Sequence, residues 1–358
     1  MTTRVSRSLV LAGAVASMVY GIWLGLLRLG WILPLPWPDQ LILHGPLMVG
    51  GFVGTLIGLE RAIGSGRRWA YFAPVCTVAG VLVLVFGPPT SAGPVLMTAG
   101  SVLVVLLFVV LLGQHFSMST FALLAGALCW CVGNVGWMGG AGIYRVVFWW
   151  IGFVVLTIGG ERLELNRVLR PSARVRAAFG GAAALMIAGA LAMAVDPGAG
   201  KGWLGAGLIG TAAWLLMFDV ARRTVRQPGL TRYIATCLLA GYVWLVVAGL
   251  LLFTSDVTAP GARYDAVLHS IFVGFVVSMI FGHAPIVFPA VLHRALPYRR
   301  IVYLPLVLLH VSVAMRLTGD LVDELGRLRA WGGLWNAAAI GLFLATTAGS
   351  LQSFRAAR

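Results

Sequence analysis

Long, nearly unbroken apolar blocks, each bounded by charge, Pro or Gly, constrain this chain more than any other feature. A helix crossing a hydrocarbon core ~30 Å thick needs about 20 apolar residues. In lipid every backbone polar group must find its partner inside the segment, which favours helices. A soluble domain carries about a quarter charged residues; this chain carries 10%, against 60% hydrophobic. The pattern predicts an all-α polytopic membrane protein: one integral membrane domain over residues 1–358, with the lipid bilayer as its first partner. Runs between breakers place about twelve spans, near 8–33, 41–62, 69–87, 93–113, 117–138, 143–161, 175–195, 203–221, 231–253, 264–284, 301–317 and 331–351. The N-terminal stretch has a basic start and an apolar core. Its apolar run is too long for a signal peptide and shows no clear cleavage site, so it reads as the first span.

Twenty-six Lys and Arg against eleven Asp and Glu give a net charge of +15. In a membrane protein that excess marks cytoplasmic loops rather than nucleic-acid binding. Nineteen of the 26 fall in one alternate set of loops and ends, and seven in the other: Arg28, Arg145, Lys201, Arg263, Arg316, Arg327 and Arg329. The bias and the even span count both put the two termini in the cytoplasm of a multi-pass protein of a prokaryotic inner membrane. Cys76, Cys129, Cys131 and Cys237 lie in apolar runs without zinc or CxxCH spacing and read as packing residues. There is no nucleophile elbow, HExxH or P-loop, so nothing points to a hydrolase. A short echo, IGLER at 57–61 and IGGER at 158–162, ends two spans that both run inward. It reads either as interfacial charge, with Arg favoured at a helix C-terminus, or as a proton or ion gate. Asp320, Asp323 and Glu324, with Arg327 and Arg329, read as a solvated outer loop or a docking patch.

Six histidines sort by depth. At a rise of ~1.5 Å per residue, His44 lies about 5 Å inside the outer end of the second span and His269 about 8 Å inside that of the tenth. Intramembrane ionisable side chains lean towards function, and two imidazoles at matched depth suit the axial positions of a haem iron. His310 lies about 10 Å from the outer end of the eleventh span and reads as a third ligand, a copper ligand or a packing group. His283 lies about 21 Å deeper than His269, while His115 and His293 fall in or near cytoplasmic loops. Gly45, Gly50, Gly51, Gly54 and Gly58 strip side chains from the second span, and Gly274 does so below His269. Such stripping suits a flat macrocycle or plain helix packing. Arg145, Arg263 and Arg316, at outer span ends, are candidate propionate partners. Met48, one turn below His44, is a candidate copper or iron ligand or an apolar packer.

At these residues a resemblance enters. HGPLMVGGFVGTLI (44–57) resembles the second-span motif of the NnrS family of haem- and copper-containing membrane proteins, His-x-His-x-Met-x-x-Gly-Phe, through His44, Met48, Gly51 and Phe52. HSIFVGFVVSM (269–279) resembles that family's later motif through His269, Val273, Gly274 and Met279, and His283 is similar to its later Gly-His after a shorter gap. The chain has Pro46 where the motif has its second His. The second-span opening is also similar to haem-copper oxidase subunit I. The resemblance implies a non-covalent b-type haem on His44 and His269, copper as a further cofactor, and nitric oxide or a redox partner as the physiological contact. The implied role is nitrosative-stress tolerance or membrane electron transfer. The sixth and seventh spans hold no His, so oxygen reduction at a haem-copper centre is not expected. The alternative is a twelve-helix secondary transporter. GLERAIGSGRR (58–68) is similar to the Gly-x-x-x-Asp-Arg-x-Gly-Arg-Arg loop of the major facilitator superfamily, with Glu for Asp and altered spacing. A cofactor-free assembly subunit is the third reading.

Overall fold

Each apolar block becomes a helix because its interior lacks breakers and its ends carry them. The computed structural model describes residues 2–35, 37–88, 90–292 and 298–356, and the side chains of 7–35, 37–88, 90–288 and 298–349; His293 lies outside the described residues. The helices are α1 (Thr2–Arg28), α2 (Pro38–Ser65), α3 (Arg68–Phe86), α4 (Ala92–Gln114), α5 (Met118–Met138), α6 (Ile143–Leu165) and α7 (Ala173–Ala192). They continue as α8 (Pro197–Phe218), α9 (Leu230–Thr254), α10 (Ala262–Phe288), α11 (Arg300–Leu321) and α12 (Gly326–Ala356). Among the described residues there is no strand. Caps sit where their chemistry predicts: Ser117, Ser172 and Asp196 accept N–H bonds from the first turns of α5, α7 and α8. Gly66, at φ +66°, closes α2 in the left-handed conformation that favours glycine.

Among the described residues eleven of these helices, α1 to α11, are long and apolar enough to cross a membrane. The chain is a multi-pass, all-helical membrane protein. The twelfth runs over 31 residues.

The chain divides into two compact units, Met1–Glu161 and Arg162–Arg358. In the first, α1 packs on α2, and α3, α4 and α5 follow as successive neighbours. The glycines of α2 make this possible. A Cβ on Gly51 would lie 2.1 Å from Ser17 Oγ of α1, one on Gly50 2.9 Å from Met97 Sδ of α4, and one on Gly54 2.3 Å from the Trp130 ring of α5. Gly58 faces Pro74 of α3, and Gly45 faces Ile143 and Trp150 of α6. The macrocycle reading of these glycines is therefore corrected. Their bare faces are already occupied by side chains of the surrounding helices, so they serve helix packing.

In the second unit α7 pairs with α8, α8 with α9, α9 with α10, and α11 with α12. Close approach again depends on small residues. Gly274 of α10 accepts the Trp244 ring of α9, and Gly319 of α11 meets the backbone of Arg329 in α12.

One helix in each unit departs from α geometry. In α2 the segment Leu47–Gly54 is π-helical, and in α10 so is Ser270–Val277. Pro46 has no N–H for the ladder just before the first segment, and Ser17 Oγ of α1 donates to the Leu47 carbonyl at 2.9 Å. At the second, Ser270 Oγ donates to the Ala266 carbonyl at 2.8 Å, a back-bond that loosens a helix. Wide turns of this kind are frequent at functional sites.

Candidate functional site

A histidine stands at the head of each π-helical segment. His44 opens the α-helical turn His44–Pro46 that precedes the first, and His269 directly precedes the second. Both rings are half-buried. His44 Nδ1 lies 2.7 Å from the Gly21 carbonyl oxygen of α1, and His269 Nδ1 lies 2.8 Å from the Asp265 carbonyl oxygen one turn earlier. A carbonyl oxygen only accepts, so each ring carries its proton on Nδ1. In the neutral ring Nε2 is then the nitrogen with the lone pair. This is the arrangement of iron- and zinc-ligating histidines, in which a backbone carbonyl fixes tautomer and ring orientation and raises basicity.

Around His44 the wall is α1. Ser17, Gly21 and Gly25 recur every four residues and form one small-residue stripe. A Cβ on Gly25 would lie 2.9 Å from His44 Cε1, and one on Gly21 2.9 Å from Met48 Sδ. Met48 therefore packs its sulfur on α1. Tyr20, on the next position of α1, donates its hydroxyl to Gln40 Oε1, and Gln40 Nε2 donates to the Val85 carbonyl at 2.8 Å. These bonds fix the approach of the chain into α2.

Around His269 the surroundings are ionic. Arg316 Nη2 of α11 and Arg329 Nη2 of α12 both donate to Asp265 Oδ2, at 2.7 and 2.9 Å. Asp265 Oδ1 lies 3.7 Å from His269 Nδ1. Asp320 closes the group, 2.7 Å from Arg329 Nε and 3.9 Å from Arg316 Nε. Two carboxylates and two guanidiniums thus share one cluster, in which Asp265, Arg316 and Asp320 are buried and Arg329 is half-buried. The solvated-loop reading of Asp320 is corrected: it is buried, while Asp323, Glu324 and Arg327 of that stretch are exposed. Arg316 has carboxylate partners within the protein, whereas Arg145 and Arg263 are exposed, Arg145 over the Tyr144 ring.

His310 has a different setting. Trp244 Nε1 donates to its Nδ1 at 2.8 Å, and Ser278 Oγ lies 3.4 Å from its Nε2. Ser278 gives its own proton to the Cys237 carbonyl at 2.7 Å, so it accepts from His310. Both ring nitrogens are thereby engaged, the arrangement of a packed core histidine. His283 lies half-buried further along α10, and His115 is exposed after α4. Among the described residues no three of His, Cys, Asp and Glu gather into a group able to hold a bare metal ion. A haem makes no such demand, because the porphyrin supplies four nitrogens and the protein supplies axial ligands.

The IGLER and IGGER echo resolves into two charged clusters, the first half-buried and the second buried. In the first unit Arg61 pairs with Glu161, and Glu60 Oε1 lies 4.0 Å from Arg61 Nη2. In the second, Arg162 grips Asp219 with two bonds of 2.7 and 3.0 Å, and Tyr242 OH adds a third at 2.6 Å. Asp219 and Tyr242 were not legible as partners, because the bond joins positions 57 residues apart.

Fold and site together define a multi-pass helical membrane protein with one histidine-headed, π-interrupted helix in each unit. The chain belongs to the family described as a domain of unknown function (DUF8744), whose model matches residues 7–352. No curated protein and no solved structure matches it.

Proposed function

We propose that this protein binds a non-covalent, b-type haem with His44 and His269 as axial ligands, and that it serves nitric oxide handling or membrane electron transfer in the manner the NnrS resemblance implies. One observation carries the reading. In both units a histidine at the head of a π-helical segment gives its Nδ1–H to a backbone carbonyl, at 2.7 and 2.8 Å. That bond puts the imidazole proton on Nδ1 and holds the ring still, as in metal-ligating histidines. Arg145 and Arg263 are the cations offered to propionates. Copper is not part of the proposal: Met48 packs its sulfur on α1, and among the described residues no three of His, Cys, Asp and Glu gather to hold a bare metal ion.

Haem supplies a one-electron couple when bound. The chain's own contribution is to fix two ring orientations, to exclude water with packed helices, and to set the charge beside His269. His44 and His269 are the residues that would hold such a haem, and a haem held by two histidines would supply electron transfer. The arginine bias further supports twelve spans, with α12 the last, and both termini on the cytoplasmic side of a prokaryotic inner membrane.

A second reading, an ion-coupled secondary transporter, draws on the charge clusters and the interrupted helices. The absorption spectrum of the purified protein separates the two. The haem reading predicts a Soret band, low-spin ferric and ferrous spectra, and one haem per chain. A colourless protein after expression with ample haem overturns it in favour of transport.

A further inference from the structure

The ion cluster on α10, α11 and α12 has more structure than burial alone requires. Its four members are two carboxylates and two guanidiniums; the two guanidiniums meet on Asp265, in the turn that carries His269, and Asp320 stands behind them. Asp265 contributes twice. Its carbonyl oxygen takes His269 Nδ1–H at 2.8 Å, and its carboxylate is held by Arg316 and Arg329 at 2.7 and 2.9 Å. Oδ2 faces the two guanidiniums, while Oδ1 stays 3.7 Å from the imidazole. Asp320 in turn holds Arg329 at 2.7 Å. Small residues let α12 come this close: a Cβ on Gly319 would lie 2.2 Å from the Arg329 nitrogen, and one on Gly332 2.5 Å from that of Arg316.

We propose that Asp265, Arg316, Arg329 and Asp320 form an electrostatic clasp that positions His269 and sets the reduction potential of the iron it ligates. The inference rests on the haem reading above. Asp265, Arg316, Arg329 and Asp320 are positioning residues, acting through His269 alone. In a low-dielectric interior a change of one charge is felt strongly, and the clasp sets the charge beside His269. Removing one cation makes that charge more negative. That stabilises the oxidised iron and lowers the midpoint potential. Removing one carboxylate makes the charge more positive and raises the potential.

The sign of the shift is the test. Midpoint potentials are measured by spectroelectrochemistry on the full-length haem-loaded protein in nanodiscs, for wild type, Arg329→Gln, Arg329→Lys and Asp265→Asn. Asp265→Asn keeps the carbonyl that anchors Nδ1, so it changes charge without removing the hydrogen bond. The expected result is a potential below wild type for Arg329→Gln, above it for Asp265→Asn, and close to it for Arg329→Lys. A merely structural role moves both neutralising variants in the same direction, or lowers haem content without moving the potential of the loaded fraction. Either outcome overturns the clasp, as do unchanged potentials. Should Asp265→Asn fail to fold, Asp320→Asn carries the same sign with a smaller shift, because Asp320 reaches His269 only through the arginines. A wild-type protein without a Soret band overturns the haem reading itself. A wild-type Soret band with unmoved variant potentials overturns the clasp alone.

Discussion

Arg162→Met is expected to destabilise the second unit severely. Arg162 and Asp219 are both buried, and the carboxylate accepts four hydrogen bonds: two from Arg162 at 2.7 and 3.0 Å, one from Tyr242 OH at 2.6 Å and one from the Ala221 N–H at 2.8 Å. Methionine fills much of the arginine volume but removes the positive charge bonded to Asp219. The carboxylate keeps two neutral donors and loses its countercharge. Breaking a buried pair on one side costs about 3–5 kcal/mol, equal to roughly two to four decades in the folding equilibrium. Arg162→Met with Asp219→Asn removes both charges and is expected to recover most of that loss. Tyr242→Phe removes one bond to a charged acceptor and is expected to cost about 1.5–3 kcal/mol. The assay is unfolding of the purified protein by SDS titration from mixed micelles, followed by tryptophan fluorescence. A single variant as stable as wild type refutes the reasoning, and so does a double variant no better than the single.

The packing of α2 and the roles of the histidines yield three more expectations. Gly54→Ala puts a Cβ 2.3 Å from the Trp130 ring and is expected to cost about 1–3 kcal/mol; Trp130→Phe in the same chain relieves part of it, as a melting curve will show. Gly25→Ala pushes on His44 Cε1, which lies 2.9 Å from the new atom. It is expected to weaken haem retention about 10–100-fold, the range for disturbing the support of a ligand, measured as haem loss to an apo-globin acceptor. His310→Phe strands the Trp244 N–H, now bonded at 2.8 Å; stability falls by about 1–3 kcal/mol while the Soret band keeps its position and intensity.

Much of this architecture was legible because lipid imposes a coarse grammar. Helix positions followed from uninterrupted apolar runs, and eleven helices long and apolar enough to cross a membrane were found where runs such as 93–113 and 231–253 stood. The ends of α8 slipped: Asp196 and Pro197 cap it earlier than the apolar run begins, a local signal that hydropathy overlooks. His44 and His269 were singled out by residue type and depth, but their shared Nδ1 anchoring was not legible, because the two carbonyls come from a separate helix in one case and the same helix in the other. Asp320 looked solvated because it precedes the acidic pair Asp323 and Glu324. Only the packing of α11 on α12 shows that it turns inward to Arg329. The glycines of α2 were ambiguous between a macrocycle and a neighbour, and Trp130 and Met97 decided the matter from helices far away in sequence. Side-chain partners across helices carry no periodic mark, whereas burial against lipid does.

The most direct measurement is the Soret absorbance of four purified proteins prepared side by side: wild type, His44→Ala, His269→Ala and His115→Ala. The account predicts a full band in wild type and in His115→Ala, and its loss in each of the other two. A full wild-type band retained by both His44→Ala and His269→Ala would contradict it.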